Sequence, residues 1–320
     1  MSTLLTGAGG FVGARLGRRL LADQSAVRAL VRSLSGARAA SMTEIQVAEP
    51  WETADFAPAL GGVSTVFHLA ARVHVMHETE PDAAAAFHRF NVAATLNLAR
   101  QAAAAGVQRF VFVSSVKVNG EQTLAGRPFV ESDAAAPQDD YGRSKMQAET
   151  QLRELAVTTG MAVVIVRPPL VYGPGAKGNF AALTKAVLRG MPLPLGSINN
   201  RRSLVALDNL VDFLVTVGSH PAAANETFLV SDGDDLSTTQ LVRGIASAAA
   251  MSARLIPVPP WLLRVAGAIV GRTGAVQRLC DDLQVDIGKA ESLLGWRPPL
   301  SVEQGLRRAV TQEQSDEKSV

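Results

Sequence analysis

In the stretch YGRSK, Tyr141 precedes Lys145 by four residues, a spacing that puts both side chains on one face of a helix. A phenol titrates near pH ~10 in water and is a poor acid–base group at neutral pH. A lysine cation beside it favours the phenolate and lowers that pKa. A hydroxyl donor would complete a pair able to polarise a carbonyl. The run RFVFVSS offers Ser114 and Ser115 at the end of an apolar strand, the place where open α/β sheets bind their ligands. A Tyr/Lys pair by itself also fits a structural role. The chain has only two tyrosines, however, and this one follows a serine-bearing strand end.

A second chemical signal opens the chain. TGAGGFVG places Gly7, Gly10 and Gly13 where a first apolar strand hands over to a helix. Glycine is entropically costly, so a cluster marks a tight turn or a close backbone approach. A helix N-terminus offers free N–H groups and the positive end of a dipole, which suit a phosphate. Gly7 would make the turn, Gly10 would admit a pyrophosphate, and Gly13 would let helix and strand pack closely. The acid that grips a ribose 2′-hydroxyl is expected about 20 residues on. Here the second strand, AVRALVRS, ends in Arg32 and Ser33 instead. Arg32 reads either as a partner for a 2′-phosphate, which favours NADP(H) over NAD(H), or as a solvated loop charge.

The elements that must position these residues are legible as an alternation. Strands are predicted at Thr3–Leu5, Val27–Val31, Ile45–Val47, Thr65–Leu69, Arg109–Ser114 and Ala162–Val166. Helices are predicted at Val12–Ala22, Ala83–Ala105 and Tyr141–Thr159. Alternating strands and helices argue for an α/β fold, a doubly wound parallel sheet covered on both faces. Beyond Arg167, RPPLVYGPGAKGN and RGMPLPLGSINNRRS are rich in Gly, Pro and Asn and read as long loops. The reading divides the chain into a nucleotide-binding domain over 1–172, a mainly substrate-binding lobe over 173–312, and a polar, frayed tail over 313–320.

Composition narrows the class. With 47% hydrophobic and 19% charged residues the chain is a core-forming globular protein. Thirty-one basic against 29 acidic residues leave no footprint for nucleic acid. The single cysteine, Cys280, cannot form a disulfide within the chain and reads as buried and idle. WLLRVAGAIVG, from Trp261 to Gly271, is too short to span a membrane and contains Arg264. It reads as a buried or cleft-covering helix starting at Pro259-Pro260. No leader is evident, and a cytoplasmic protein is expected. His74 and His77 in RVHVMHE read as sugar contacts or as loop residues; no metal site is expected, since no carboxylate or cysteine completes one.

Taken in order, TGAGGFVG, FHLAA, NVAATLNL, FVFVSS with VNG, YGRSK, RPPLVYGPG, RRSLVALDNL and VDIGKAESLLGW resemble the extended short-chain dehydrogenase/reductases of the nucleotide-sugar epimerase/dehydratase type. The resemblance runs through nearly the whole chain. It implies a Rossmann domain with a smaller lobe for a UDP-sugar, and a homodimer pairing the helix of Tyr141 with a neighbouring one. It assigns Tyr141 as acid/base, Lys145 as the group that binds the nicotinamide ribose and tunes Tyr141, and Ser115, rather than Ser114, as the hydroxyl partner. Gly7, Gly10, Phe11, Val12, Gly13, Arg32, Leu69, Ala70, Ala71, Asn91 and Pro168 fall to the cofactor, with Tyr172 near the nicotinamide. Lys117, Asn179, Arg202 and Arg278 fall to the substrate, Arg202 on its diphosphate. Three positions depart from the family pattern: Ser203 stands for Asp, Asn119 for Tyr, and VAEPWE for the Gly-Asp-Leu that meets the adenine.

Dehydratases of the family resemble Thr-Asp-Glu where this chain has Ser115-Val116-Lys117, so the acid pair that removes a C6 hydroxyl is missing. Two reactions remain. AARVHVMHE, SSVKVNGE, PQDDYGRSK and PLPLGSINNRRSLVALDNLVD are similar to bacterial O-antigen enzymes that reduce UDP-2-acetamido-2,6-dideoxy-hexos-4-uloses. Together with Arg32 they imply an NADPH-dependent 4-keto reductase. The alternative is a UDP-hexose or UDP-HexNAc 4-epimerase with tightly bound NAD, and more remotely a non-catalytic nucleotide-binding regulator.

Overall fold

The computed structural model describes residues 2–34, 42–73 and 82–317, with side chains through 311. His74 and His77 lie outside the described residues. Seven parallel strands form the main sheet: β1 (Ser2–Thr6), β2 (Ala26–Val31), β3 (Thr43–Gln46), β4 (Thr65–His68), β5 (Arg109–Val113), β6 (Ala162–Arg167) and β9 (Thr227–Leu229). Their order is β3-β2-β1-β4-β5-β6-β9. The order reverses between β1 and β4, which opens a crevice at the carboxyl ends of the strands. β7 (Leu170–Tyr172) and β8 (Leu204–Ala206) pair separately, also in parallel.

Each sheet face carries its own apolar layer, which is why the strands are apolar continuously rather than alternately. On one face Leu98 of α4 (Ala94–Ala104) and Leu152 of α5 (Asp140–Thr159) pack with Leu4, Phe110 and Ile165, and α2 (Ala57–Leu60) adds Leu60. On the other, Leu16 of α1 (Phe11–Ala22) and Leu210 of α7 (Leu207–Ser219) pack with Leu5, Val111 and Val164. Trp296, just beyond α11 (Gly288–Leu294), closes that layer by stacking edge-on against Phe213. A third cluster joins α6 (Asn179–Leu188), α8 (Thr238–Ala248) and α12 (Val302–Glu317) around Tyr172, Ile198 and Leu306.

The helix predicted over Ala83–Ala105 is α3 (Ala83–Phe87) and α4 joined by one wider π turn, His88–Ala93. Such turns often sit at functional positions, and this one presents Asn91. The region read as loops beyond Arg167 contains β7 inside its first stretch, and the tail read as frayed continues α12 to Glu317. The largest departure is α9 (Pro260–Ile269). It is not buried: Gly267 is its only buried residue, seated where a Cβ would meet Val276 of α10 (Thr273–Cys280) at 2.5 Å. No described helix is long and apolar enough to cross a membrane.

Candidate active site

The first loop of the chain is a cradle. Gly7 has φ +72°, and a Cβ there would lie 2.9 Å from the backbone of Leu69 and Ala70. The β1 turn and the end of β4 therefore touch backbone to backbone. A Cβ on Gly13 would meet the Gly7 carbonyl at 2.1 Å, which makes α1 dock directly on the turn. Gly10 is the N-cap of α1, with no side chain capping it and no acid in the first turn. The free N–H groups at the start of α1 thus face open space with a positive dipole end, a site whose chemistry fits a pyrophosphate. Phe11 and Val12 are half-buried and pack on the layer beneath. Leu69, Ala70 and Ala71 follow β4, and the N–H groups of Leu69 and Ala70 donate to Thr6 Oγ1 at 3.1 and 3.0 Å.

A buried polar chain supports this corner. Thr6 Oγ1 lies 2.9 Å from His68 Nδ1, and His68 Nε2 lies 2.9 Å from Thr95 Oγ1. Burial, then the Lys145 cation, push the imidazole down to about 3, so it is neutral at working pH. Residue-by-residue reading missed this chain because Thr6, His68 and Thr95 are remote in sequence and unremarkable singly.

Ser115 follows β5 and caps a short 3-10 turn, its Oγ accepting from Lys117 N at 3.2 Å. Ser114 is committed elsewhere: it is buried and its hydroxyl donates to Glu149 at 2.6 Å. The structure thus separates two serines that the strand-end pattern alone leaves equivalent. Tyr141 and Lys145 occupy the first two turns of α5, whose N-cap Asp139 accepts from Gly142 N at 2.7 Å. Gly142 has a role that the motif alone does not reveal. A Cβ there would lie 2.9 Å from the Lys117 carbonyl, so the glycine lets the Ser115 turn press against the helix of Tyr141.

Lys145 is buried, donates to the Val113 carbonyl at 2.9 Å, and holds its Nζ 4.4 Å from the Phe112 ring centre and 6.0 Å from that of Tyr141. Burial lowers it to about 7, against a smaller upward pull from Glu149. The Tyr141 phenol is pushed up, by burial first and then by the Asp139 carboxylate. The expected lowering of Tyr141 by Lys145 is therefore outweighed here, because desolvation and Asp139 both oppose the phenolate. Below them, Glu149 binds Arg167 through two bonds of 2.9 and 2.6 Å, both side chains nearly inaccessible. Arg167 also donates to Asn119, which explains an Asn where the family has Tyr.

Two residues that the resemblance assigns to the cofactor also brace the site. Asn91 is buried, and its amide bonds go to the Arg72 backbone and to Ser144 Oγ. Pro168 is buried with its carbonyl accepting from Val116 N at 3.0 Å, steadying the Ser115 turn. Tyr172 is fully buried and donates to Asp232 at 2.7 Å, an anchor of the third cluster. Arg32 projects from the end of β2, 76% exposed, with Glu49 3.8 Å away. No acid stands on the strand itself.

The residues expected to meet the substrate are mostly charged. Lys117 contacts Asp139 and Glu121 at 2.5 and 3.0 Å. Burial works against its cation, but the two carboxylates outweigh it and the net shift is upward. Arg202 sits between Leu236 and Leu283 and donates to the Asp281 carbonyl at 3.0 Å. Burial lowers its pKa, Asp281 opposes this, and the cation of Arg278 adds to the lowering. Arg278 thus shares the field of Arg202 from the exposed last turn of α10. Asn179 lies apart from these bonds, exposed as the first residue of α6. Ser203 donates to Asp235 and accepts from Val285 N, so a serine replaces the family Asp by borrowing the Asp235 carboxylate. Cys280 is buried and its thiol is pushed up by burial, which fits an idle residue. Among the described residues no group of His, Cys, Asp or Glu is placed to hold a metal ion.

Comparison with known proteins shows what the whole chain is similar to. A UDP-glucose 4-epimerase of Vibrio cholerae is 46% identical over 96% of this chain and 94% of its own. The N-acetyl-alpha-D-glucosaminyl-diphospho-ditrans,octacis-undecaprenol 4-epimerase of Escherichia coli O157:H7 is 29% identical over 98% of this chain and 95% of its own. A solved structure of MoeE5 in complex with UDP-glucose and NAD superposes with a TM-score of 0.79 at 25% identity, over 99% of this chain and 100% of its own. The profile of the NAD dependent epimerase/dehydratase family matches residues 3–231, and the chain belongs to that family.

Proposed function

We propose that this chain transfers a hydride between a nicotinamide cofactor and C4 of a UDP-linked sugar, and that its net reaction is reduction of a 4-keto sugar by NADPH. The observation that carries the reading is the pairing of an intact Ser115, Tyr141 and Lys145 constellation with a β2 end that offers Arg32 and no acid. The cradle at Gly7, Gly10 and Gly13 with the N-terminus of α1 would hold the cofactor diphosphate. When bound, the nicotinamide supplies the hydride.

The chain's own residues supply the rest. Tyr141 donates its phenolic proton to the oxygen that gains charge at C4, and Ser115 Oγ donates a hydrogen bond to the same oxygen. The high pKa of the phenol keeps the proton in place until charge develops. Lys145, poised near neutrality at about 7, returns a proton toward Tyr141 and holds the ribose hydroxyls. Arg202, with Arg278 beside it, binds the UDP diphosphate; a guanidinium fork matches two phosphate oxygens. Lys117, fixed by Asp139 and Glu121, lies two residues past Ser115, where it reaches the sugar rather than a leaving hydroxyl. We also propose a homodimer through α4 and α5, on whose exposed surface Val157 lies; light scattering at a mass of two chains checks this.

A second reading, reversible 4-epimerisation with NAD retained through the cycle, is favoured by the name of the Vibrio cholerae relative. Two incubations separate them. Purified protein is given NADPH and UDP-2-acetamido-2,6-dideoxy-hexos-4-ulose, and the nicotinamide absorbance is followed; in parallel it is given NAD and UDP-GlcNAc. Loss of one NADPH per sugar in the first, absent in Tyr141→Phe, supports the reductase. Unchanged NADPH in the first with conversion of UDP-GlcNAc to UDP-GalNAc in the second overturns it in favour of the epimerase.

A further inference from the structure

The helix α9 has no work in the reaction above, and its surface is unlike the rest of the molecule. Trp261 is 63% and Ile269 80% exposed, and Leu262, Val265 and Val270 are exposed with them. Trp261, Val265 and Ile269 recur every four residues and so form one stripe. Single exposed apolar side chains are ordinary, but a contiguous apolar patch marks an interaction surface. Ile256, also exposed, extends the apolar surface along the segment that leads into the helix.

The charge around the stripe says what covers it. From Leu236 to Cys280 the chain contains five arginines, Arg243, Arg254, Arg264, Arg272 and Arg278, and no Asp, Glu or Lys. An apolar stripe with a tryptophan, in a stretch of chain whose only charged residues are arginines, with Arg264 alone among them paired, within the described residues, to a carboxylate just beyond it, is complementary to anionic headgroups over an acyl layer. A second copy of the chain laid on the same face would bring arginines against arginines, which charge disfavours. At ten residues the helix is about 15 Å long, so it lies in the interface and does not span it.

We propose that α9 is a membrane-docking helix that seats this protein peripherally on an anionic phospholipid bilayer. Two contacts transmit that seating to the body. Gly267 lets α9 pack tightly on Val276 of α10, and Arg264 pairs with Asp281 at 2.7 Å. Asp281 is also the residue whose carbonyl holds Arg202, so the docked helix adjoins the rim of the diphosphate pocket. The proposal does not depend on which C4 reaction the site performs.

The protein carries its own reporter. Of the three tryptophans, Trp51 and Trp296 are buried and Trp261 alone is exposed. Full-length protein is titrated with vesicles of phosphatidylcholine containing roughly one-third phosphatidylglycerol, with flotation as a second readout. The expected result is a blue shift of Trp261 emission and co-flotation, both lost on pure phosphatidylcholine at physiological salt. Val265→Glu with Ile269→Glu, at surface positions, should weaken partitioning at least about tenfold, and Arg272→Glu about tenfold in a salt-dependent way. Unchanged circular dichroism and melting temperature keep these variants interpretable. Absence of binding to anionic vesicles at low salt, or binding untouched by the α9 changes, overturns the proposal. So does a fall in oligomeric mass in the same variants, which would make the face a contact between copies of the chain.

Discussion

The two halves of the site hold their side chains by opposite means. Around β5 and α5 the supporting groups are fixed by buried partners: Lys145 by the Val113 carbonyl, Ser114 by Glu149, and Glu149 by Arg167. Around Arg202 the supports are isolated β-bridges, carbonyls and carboxylates on loops. The first region suits proton and hydride chemistry, which tolerates little misplacement. The second matches the diphosphate-binding role proposed for Arg202. Fixed chemistry on sheet ends with adaptable binding on loops is the division of labour this structure teaches.

Mutations can break that contrast. The largest effect falls on chemistry: Tyr141→Phe should lower kcat at least ~10²-fold while leaving the melting temperature and cofactor binding intact, as steady-state kinetics and cofactor titration will read. Next is the buried brace. Glu149→Ala leaves Arg167 as an uncompensated buried cation and should cost about 3–5 kcal/mol in urea unfolding. On the recognition side, Arg202→Ala should raise the KM for the UDP-sugar about tenfold or more with a much smaller change in kcat, and Arg202→Lys should restore it only in part. Equal losses in kcat from Arg202 and Tyr141 variants would erase the distinction between the two regions.

Smaller effects sharpen the comparison through pH. The Asp139 carboxylate helps hold the Tyr141 phenol up, so Asp139→Asn, which keeps a side-chain oxygen at the N-cap, should move the alkaline limb of kcat/KM to lower pH. His68 has a folded pKa of about 3 against 6.5 unfolded. The unfolded state therefore binds the extra proton between those values, and the stability His68 contributes is full above about 6.5 and is lost as pH falls toward about 3. His68→Gln should flatten that part of the stability-against-pH curve relative to the parent, measured by urea unfolding from pH 4 upward.

Much of the first region was legible in the sequence because its constraints are local. Tyr141 and Lys145 share a helix face by spacing, Gly7 and Gly13 announce a backbone contact, and the strands are continuous apolar runs. What escaped depends on contacts between remote segments. Asn91, Pro168 and Tyr172 carry familiar residue types at familiar places, and only the folded chain shows their bracing bonds to Ser144, Val116 and Asp232. The resemblance already prefers Ser115 to Ser114; the physical reason, the bond from Ser114 to Glu149 35 positions along the chain, needed the fold. The upward shift of Tyr141 needed the degree of burial, which no spacing reports. The exposure of α9 was invisible for the converse reason: an apolar run looks the same whether it faces a core or a surface.

The most direct test of the central claim follows the hydride itself. NADPH deuterated at C4 of the nicotinamide is incubated with the UDP-4-keto sugar, and the product is examined by NMR and mass spectrometry. The account predicts one deuterium at C4 of the sugar, in proportion to NADP formed, and none with Tyr141→Phe. Unreduced keto sugar and unspent NADPH, with UDP-GlcNAc and UDP-GalNAc interconverted in a parallel incubation while the cofactor stays bound, would contradict it.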